Sequence, residues 1–282
     1  SGIRMICEWV WDGAIGPVRE VHGWSQSRHW RKDPGRPSET PPVPAGFNWD
    51  MWLGPREFRP YHPSYAPYIW RDWWAFGTGS LGNLAVHNLD GAVWALNLEH
   101  PASVEAVTTG GVDSEVAAFG GIYTFQFKPR GDMPAVKVTW YDGGLRPPIP
   151  EGLDSDDPRQ RLGDGGDGLL LVGDKGFITC PSNSGTPRLL PLDLHKSYKR
   201  PEPTLPRVKG HHADWLSACK GGPAASANFA YGARLTELVL LGNVALRAGK
   251  KILWDPASMR AVNAPEADAF IKEECRKGWE IG

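Results

Sequence analysis

Four side chains that could do chemistry together recur at helical spacing, namely Asn83, His87, Asp90 and Trp94, which we call the polar front. Projected at about 100° per residue, they gather on one side of a helix. His87 follows Asn83 by four residues and precedes Asp90 by three, so these side chains are neighbours. An imidazole between an amide and a carboxylate is a candidate general base for an alcohol near neutral pH. The same spacing also fits an ordinary helix-surface hydrogen bond or a histidine packed in the core.

A helix over 78–99 is predicted to position the polar front. Apolar residues at helical spacing occupy its opposite side: Leu81, Ala85, Leu89, Ala92 and Leu96. We therefore expect that side to pack on the core while the polar front faces a site.

The segment 79–90, Gly-Ser-Leu-Gly-Asn-Leu-Ala-Val-His-Asn-Leu-Asp, resembles the helix signature of the glucose-fructose oxidoreductase / inositol dehydrogenase (Gfo/Idh/MocA) family. In that signature a glycine-aspartate pair is followed, four residues after the aspartate, by a histidine. The resemblance implies that His87 is the catalytic acid/base residue and that Asn83 contacts substrate hydroxyls. Asn83 stands where the family has aspartate, so it can hydrogen-bond but cannot raise the basicity of His87 as a charge would. Asp90 is predicted to replace part of that charge.

The resemblance extends beyond this helix, because the junction at 13–22 also matches and the likeness continues to the end of the chain. It implies a parent enzyme whose N-terminal Rossmann domain binds NAD or NADP. We expect residues 1–14 to be a remnant helix at the exit of that nucleotide-binding domain, which has no counterpart in this sequence. We expect residues 15–282 to form a C-terminal substrate-binding and oligomerisation domain.

Three further residues are predicted to bind substrate. Arg71 is a potential donor to a hydroxyl or carboxylate, and Trp74 is a potential platform for a ring. The alternative to substrate binding is that both residues have a packing role and that Arg71 forms an ion pair with Asp72. His212, or its neighbour His211, lies where the family has a comparable histidine-containing element, and a surface or capping role is the alternative for each.

The predicted fold class is α+β, with a large, mostly antiparallel sheet covered on one face by helices. A helix over 3–12 precedes a strand over 18–24, and after Pro101 the pattern changes to consecutive strands. Strands without intervening helices favour an antiparallel sheet over a doubly wound parallel one. Strands are predicted over 104–109, 122–127, 136–141, 169–172 and 177–180, and helices over 211–219, 231–248 and 265–276.

The segment 25–67 is rich in Pro, Gly, Arg and Trp and has no sustained period. Such a long connection suggests an excursion that covers a site. The equally favoured alternative is an ordered loop whose tryptophans fill the gap between helix and sheet. Clustered tryptophans beside polar groups also bind the apolar faces of sugar rings, and the chain has 14 of them.

Composition excludes several classes of function. The net charge of -1 and the lack of a basic run with interleaved aromatics predict that the chain binds neither nucleic acid nor a membrane. The 4 cysteines are far apart, which predicts reduced thiols and no metal site. The glycines of 163–168 precede a strand and do not open a helix, so they fail the context of a phosphate-binding loop.

The resemblance implies an NAD(P)-dependent oxidoreductase acting on a hydroxyl of a sugar, cyclitol or related polyol, in which His87 takes the hydroxyl proton while hydride leaves the same carbon. The isolated chain is expected to be inactive. Two alternatives stay open: an NAD-assisted glycoside hydrolase of the same fold, and a non-catalytic carbohydrate-binding or oligomerisation domain. We also expect a homo-oligomer formed through the uncovered sheet face, and a location either in the cytoplasm or in the periplasm after twin-arginine export.

Overall fold

The computed structural model describes residues 2–26, 35–108, 110–272 and 274–280. Its α-helices are α1 Gly2–Trp11, α2 Trp49–Leu53, α3 Val86–Ala95, α4 Leu192–Ser197, α5 His211–Cys219 and α6 Phe229–Ala248. Its strands are β1 Val18–Trp24, β2 Ser103–Thr108, β3 Gly121–Phe127, β4 Val136–Tyr141, β5 Gly168–Gly173, β6 Gly176–Cys180, β7 Arg188–Leu190, β8 Ile252–Asp255 and β9 Arg260–Ala261. The predicted α+β fold class is confirmed.

Within the described residues the strands form one nine-stranded sheet in the order β7-β6-β5-β1-β4-β3-β2-β8-β9. The pairing of β1 with β4 is parallel, and the other neighbours are antiparallel. The first strand of the chain therefore lies near the middle of the sheet. Its carboxyl end meets the carboxyl end of β4, with Trp24 opposite Tyr141.

One face of the sheet forms the main hydrophobic core with α1, α3 and α6. Side chains alternate across a strand, so every second residue of the central strands points into this core. The largest of them are Trp140, Tyr123 and Phe125, each at most 2% exposed. Ile6, Cys7 and Trp9 of α1 belong to the same core, so α1 is packed into the body of the molecule.

The helix that carries the polar front is shorter than the predicted 78–99 and begins in a different form. Leu81–Ala85 is a π-helical turn, and α3 continues from it to Ala95. Gly79 has φ +63° and Asn97 has φ +46°, both outside the right-handed helical region, so the helix lies between them. The predicted apolar side is fully buried: Leu81, Ala85, Leu89, Ala92 and Leu96 are each at most 2% exposed.

The described part of the 25–67 excursion is ordered around its own aromatic cluster, and residues 27–34 lie outside the described residues. The Asn48 side chain caps α2 by accepting from the Met51 amide at 3.0 Å. The Trp49 and Trp73 indoles donate to backbone carbonyls at 2.8 Å each. Of the excursion's described tryptophans, Trp49 and Trp52 stack with ring centroids 4.7 Å apart, in a hydrophobic cluster separate from the main core.

The predicted C-terminal helix over 265–276 is wrong in extent. The structure has a 3-10 helix over Pro265–Phe270, after which the chain is irregular where it is described. Arg276 donates to the Gly54 carbonyl and to the Asp50 carboxylate at 2.6 Å each, so the tail is bound to α2 and does not continue a helix. The predicted strand 104–109 ends at Thr108, and residue 109 lies outside the described residues.

Gly23 allows α3 to approach the sheet closely. A Cβ atom there would lie 2.7 Å from a Leu89 methyl group and 3.1 Å from the Trp140 ring. We expect Gly23→Ala to lower the free energy of unfolding by about 1–3 kcal/mol, because the packed core cannot absorb the extra atom. Urea denaturation measures the change. The control is Gly232→Ala on α6, where a Cβ would meet nothing within 4 Å; equal effects of the two substitutions would contradict the packing argument.

Across the described residues, no helix is both long enough and apolar enough to span a bilayer. The same residues contain no group of three or more histidine, cysteine, aspartate or glutamate side chains arranged to hold a metal ion.

Candidate functional site

Side-chain amides hold the helix that carries the polar front at its middle and just before its start. The Asn88 amide nitrogen donates to the Trp24 carbonyl at 2.8 Å, while its oxygen accepts from the Ser182 hydroxyl at 2.9 Å. The Asn243 amide of α6 donates to the Thr78 carbonyl at 2.8 Å. These bonds attach the helix to the end of β1, to the β6–β7 connection and to α6. They therefore fix the orientation of the helix and, with it, the side to which the polar front points.

The polar front is only partly buried. His87 is exposed, whereas Asn83, Asp90 and Trp94 are half-buried. A cleft of about 430 Å³ opens beside this front, with Asp90 and Trp94 on one wall. The other walls come from α1, α5 and α6, and they include Arg4, His211, Trp215 and Tyr231. His87 lies one helical turn before Asp90 and does not itself line the cleft.

Asp90 is held by Tyr231, a residue that local spacing does not single out. The Tyr231 hydroxyl donates a hydrogen bond to the Asp90 carboxylate. Burial raises the pKa of the Asp90 carboxyl, and the Tyr231 hydrogen bond and the nearby His87 charge act in the opposite direction. Burial, with the adjacent Asp90 charge, also raises the pKa of Tyr231, which therefore stays a hydrogen-bond donor.

Among the described residues, no hydrogen bond joins His87 to Asp90. The interaction between them is electrostatic, through the influence of His87 on the pKa of Asp90. The arrangement thus places an exposed imidazole about one helical turn from a half-buried carboxyl group.

The cleft combines aromatic rings with hydrogen-bonding groups. The Trp94 and Tyr231 ring centroids are 6.1 Å apart, and the Arg4 guanidinium lies 5.4 Å from the Trp94 ring. Arg4 also donates to the Ser226 hydroxyl at 2.7 Å. Trp215 is 60% exposed at the cleft. Such a surface can stack against the apolar face of a ring while polar groups hold its substituents.

The structure does not bring Arg71 and Trp74 into this cleft. Arg71 donates to the Tyr68 carbonyl at 3.0 Å and stacks 4.5 Å from the Trp70 ring. Trp74 is buried, donates to the Asp113 carbonyl at 3.0 Å and lines a separate hollow of about 240 Å³ along α6. The two residues therefore lie in different surroundings despite their closeness in sequence.

Of the two neighbouring histidines on α5, His211 lines the cleft, and His212 is not among the described residues that do. Their ring centroids are 4.3 Å apart. Consecutive residues of a helix point about 100° apart, so only one of them can face a given wall.

The glycine-rich segment 163–168 does not fit a dinucleotide. The Asp164 carboxylate accepts from the Gly166 and Asp167 amides at 2.8 and 2.7 Å, and the Gly163 amide donates to the Thr179 hydroxyl at 2.9 Å. These amides are used within the chain, and β5 follows them with no intervening helix. The described residues of this segment thus lack the amide cradle and helix start that bind a pyrophosphate.

Residues 15–126 match the model of the Gfo/Idh/MocA family described as "Oxidoreductase family, C-terminal alpha/beta domain". The matched segment includes β1, the polar front and β2. The match confirms the resemblance found in the sequence. No curated protein matches the chain.

Solved structures that share the fold include two sugar-related oxidoreductases. Aldose-aldose oxidoreductase from Caulobacter crescentus, complexed with glycerol, is 17% identical with a TM-score of 0.50. The WlbA dehydrogenase from Bordetella pertussis, in complex with NADH and UDP-GlcNAcA, is 14% identical with a TM-score of 0.51. Each alignment covers 90% of this chain and 60% of the other protein. At these identities the likeness shows the fold alone.

Proposed function

We propose that this chain is the substrate-binding part of an NAD(P)-dependent oxidoreductase that acts on a hydroxyl of a sugar, cyclitol or related polyol. The observation that carries the proposal is the polar front, in which an exposed His87 lies about one helical turn from Asp90 and two from Trp94, and these two residues line a cleft. In this proposal His87 takes the hydroxyl proton, and Asn83 and Asp90 hold neighbouring hydroxyls.

The chemistry of the cleft supports a polyhydroxylated ligand. Asp90 accepts hydrogen bonds, Tyr231 orients it, and Trp94 offers a ring face beside it. A site of aromatic faces and few, fixed polar groups suits a compact ring with several hydroxyls. The match to an oxidoreductase family supplies the reaction class for the proposal.

The nicotinamide cofactor is proposed to bind outside residues 1–282. Its chemistry is the acceptance of hydride from the substrate carbon. Because the glycine-rich segment of this chain does not fit a dinucleotide, we propose that a separate nucleotide-binding domain of a longer protein holds it. His87 is exposed on the proposed substrate side, where such a domain could cover it.

We propose that a second copy of the chain covers part of the sheet face opposite α3 and α6. Exposed apolar side chains on this face include Val107, which is 69% exposed, and Ile122, which is 37% exposed. Light scattering of the purified chain tests this proposal: a dimer or larger assembly is expected, and a monomer at high concentration would contradict it.

The reaction class is tested by mixing the longer protein with NAD or NADP and a panel of sugars, cyclitols and polyols while the absorbance of the reduced nicotinamide is followed. We expect substrate-dependent reduction of the cofactor. Release of a glycosidic substituent without net reduction would instead identify a redox-assisted hydrolase. Binding of sugar without either reaction would identify a non-catalytic domain.

The role of Trp94 is tested on this chain by titrating glucose and myo-inositol in a calorimeter. We expect Trp94→Ala to weaken binding about fivefold or more, because the ring face beside Asp90 is lost. The matched control is Phe58→Ala, which removes an exposed ring on the distant excursion. Equal affinities of the two variants would exclude Trp94 as a binding platform, provided that melting curves show both to be folded.

A further inference from the structure

A third concavity, a hollow of about 220 Å³, lies on the sheet face opposite the cleft beside α3. The side of β1 that carries Gly23 faces Leu89 of α3, so the next residue, Trp24, points to the other face. There Trp24 packs in a separate hydrophobic cluster with Tyr141, Leu162 and Leu170. The hollow lies between this cluster and the connection that joins β4 to β5.

Trp24, which is 1% exposed, is among the residues that line this hollow. Its indole nitrogen is buried and has no hydrogen-bond acceptor among the described residues. A buried donor without an acceptor is unfavourable, because it has lost its bond to water and gained none in exchange. An acceptor that entered the hollow and reached this nitrogen would remove that cost.

Two arginines, Arg146 and Arg161, also line the hollow. Arg146 makes a long hydrogen bond of 3.4 Å to the Gln26 amide oxygen, and neither guanidinium has an ion-pair partner among the described residues. Two acidic residues of the same connection are engaged elsewhere. Asp157 pairs with Arg159 at 2.8 Å, and Asp164 accepts from backbone amides.

The rest of the lining is partly apolar, through Leu162, Ile149 and Pro147. The lining of the hollow therefore combines positively charged hydrogen-bond donors with apolar side chains. We propose that it binds a small organic carboxylate with a compact apolar body, whose oxygens pair with Arg161 and Arg146 and accept from the Trp24 indole. A planar guanidinium matches a carboxylate by two parallel hydrogen bonds. This site is separate from the proposed redox site.

Calorimetric titration of the chain with isobutyrate at constant ionic strength tests the proposal. We expect one saturable site, with no binding of the uncharged isostere isobutyramide. Arg161→Gln is expected to weaken isobutyrate binding about tenfold, because it removes a charge-assisted hydrogen bond. Arg260→Gln, at the far edge of the sheet, is the control and should bind as the original chain does. The indole N–H resonance of Trp24 should move as the site fills.

Three results would overturn the proposal. Equal binding of isobutyrate and isobutyramide would remove the role of charge. Equal affinities of Arg161→Gln and Arg260→Gln would show non-specific attraction. Tighter binding of inorganic phosphate than of isobutyrate would exclude a carboxylate site. Arg161 and Arg260 are both exposed, so circular dichroism is expected to show that the two variants are folded. None of these measurements depends on redox activity.

Discussion

Replacing His87 by alanine is expected to lower the turnover of the longer enzyme about a hundredfold or more, since a positioned general base contributes about that much to proton transfer. Substrate affinity should change little, because Asp90 and Trp94 line the cleft and His87 does not. Steady-state kinetics with the best polyol or sugar substrate separates kcat from KM.

The matched control for this experiment is His100→Gln. His100 follows the same helix and hydrogen-bonds Glu237 at 2.9 Å, away from the polar front. Its replacement should leave turnover within a small factor of the original. Unchanged turnover in His87→Ala, or an equal loss in the two variants, would remove His87 from the mechanism.

The largest effect on stability is expected from Glu8→Gln in α1. The Glu8 carboxylate accepts from the Thr204 and Leu205 amides at 2.9 and 3.0 Å and pairs with Arg207 at 2.6 Å. Its side chain is only 5% exposed, so removing the charge leaves a buried network incomplete. We expect the free energy of unfolding at pH 7 to fall by about 2–4 kcal/mol, as measured by urea denaturation.

The same carboxylate gives a pH dependence with a definite sign. The Arg207 hydrogen bond, aided by the two amides, lowers the pKa of Glu8 from 4.5 to about 2. Its stabilisation is therefore complete above pH 4.5, the ordinary value, and is lost as the pH falls toward about 2. The difference in stability between the original chain and Glu8→Gln should shrink across this window.

Glu266→Gln is the control, since Glu266 forms an exposed pair with Lys250. Exposed ion pairs contribute little to stability, so this variant should unfold close to the original midpoint. A loss in Glu266→Gln as large as that in Glu8→Gln would contradict the assignment to a buried network. So would a Glu8→Gln variant that keeps the stability of the original chain.

Local periodicity was enough to predict several elements of the fold. The apolar side of the 81–96 helix and the strand β1 follow from spacings of 3.6 and 2 residues, and the structure has both. The π-helical start of the helix was not predicted, because no local spacing indicates it. Just before that start, the Asn243 amide donates to the Thr78 carbonyl, a contact between residues 165 positions apart.

The partners of the polar front could not be predicted from spacing. Tyr231 is 141 residues from Asp90, and nothing in its own segment marks it as a partner of that carboxylate. Arg4 comes from the first helix and reaches the same cleft. Conversely, Trp74 is near the front in sequence but faces another hollow. Such contacts are set by how elements pack, which local pattern does not specify.

The most direct test of the central claim is an experimental structure of the chain with a bound sugar or cyclitol. We expect the ring to lie between Trp94 and the rest of the polar front, with one hydroxyl within about 2.6–3.2 Å of a His87 ring nitrogen. A ligand bound elsewhere, with no hydroxyl near His87, would contradict the claim.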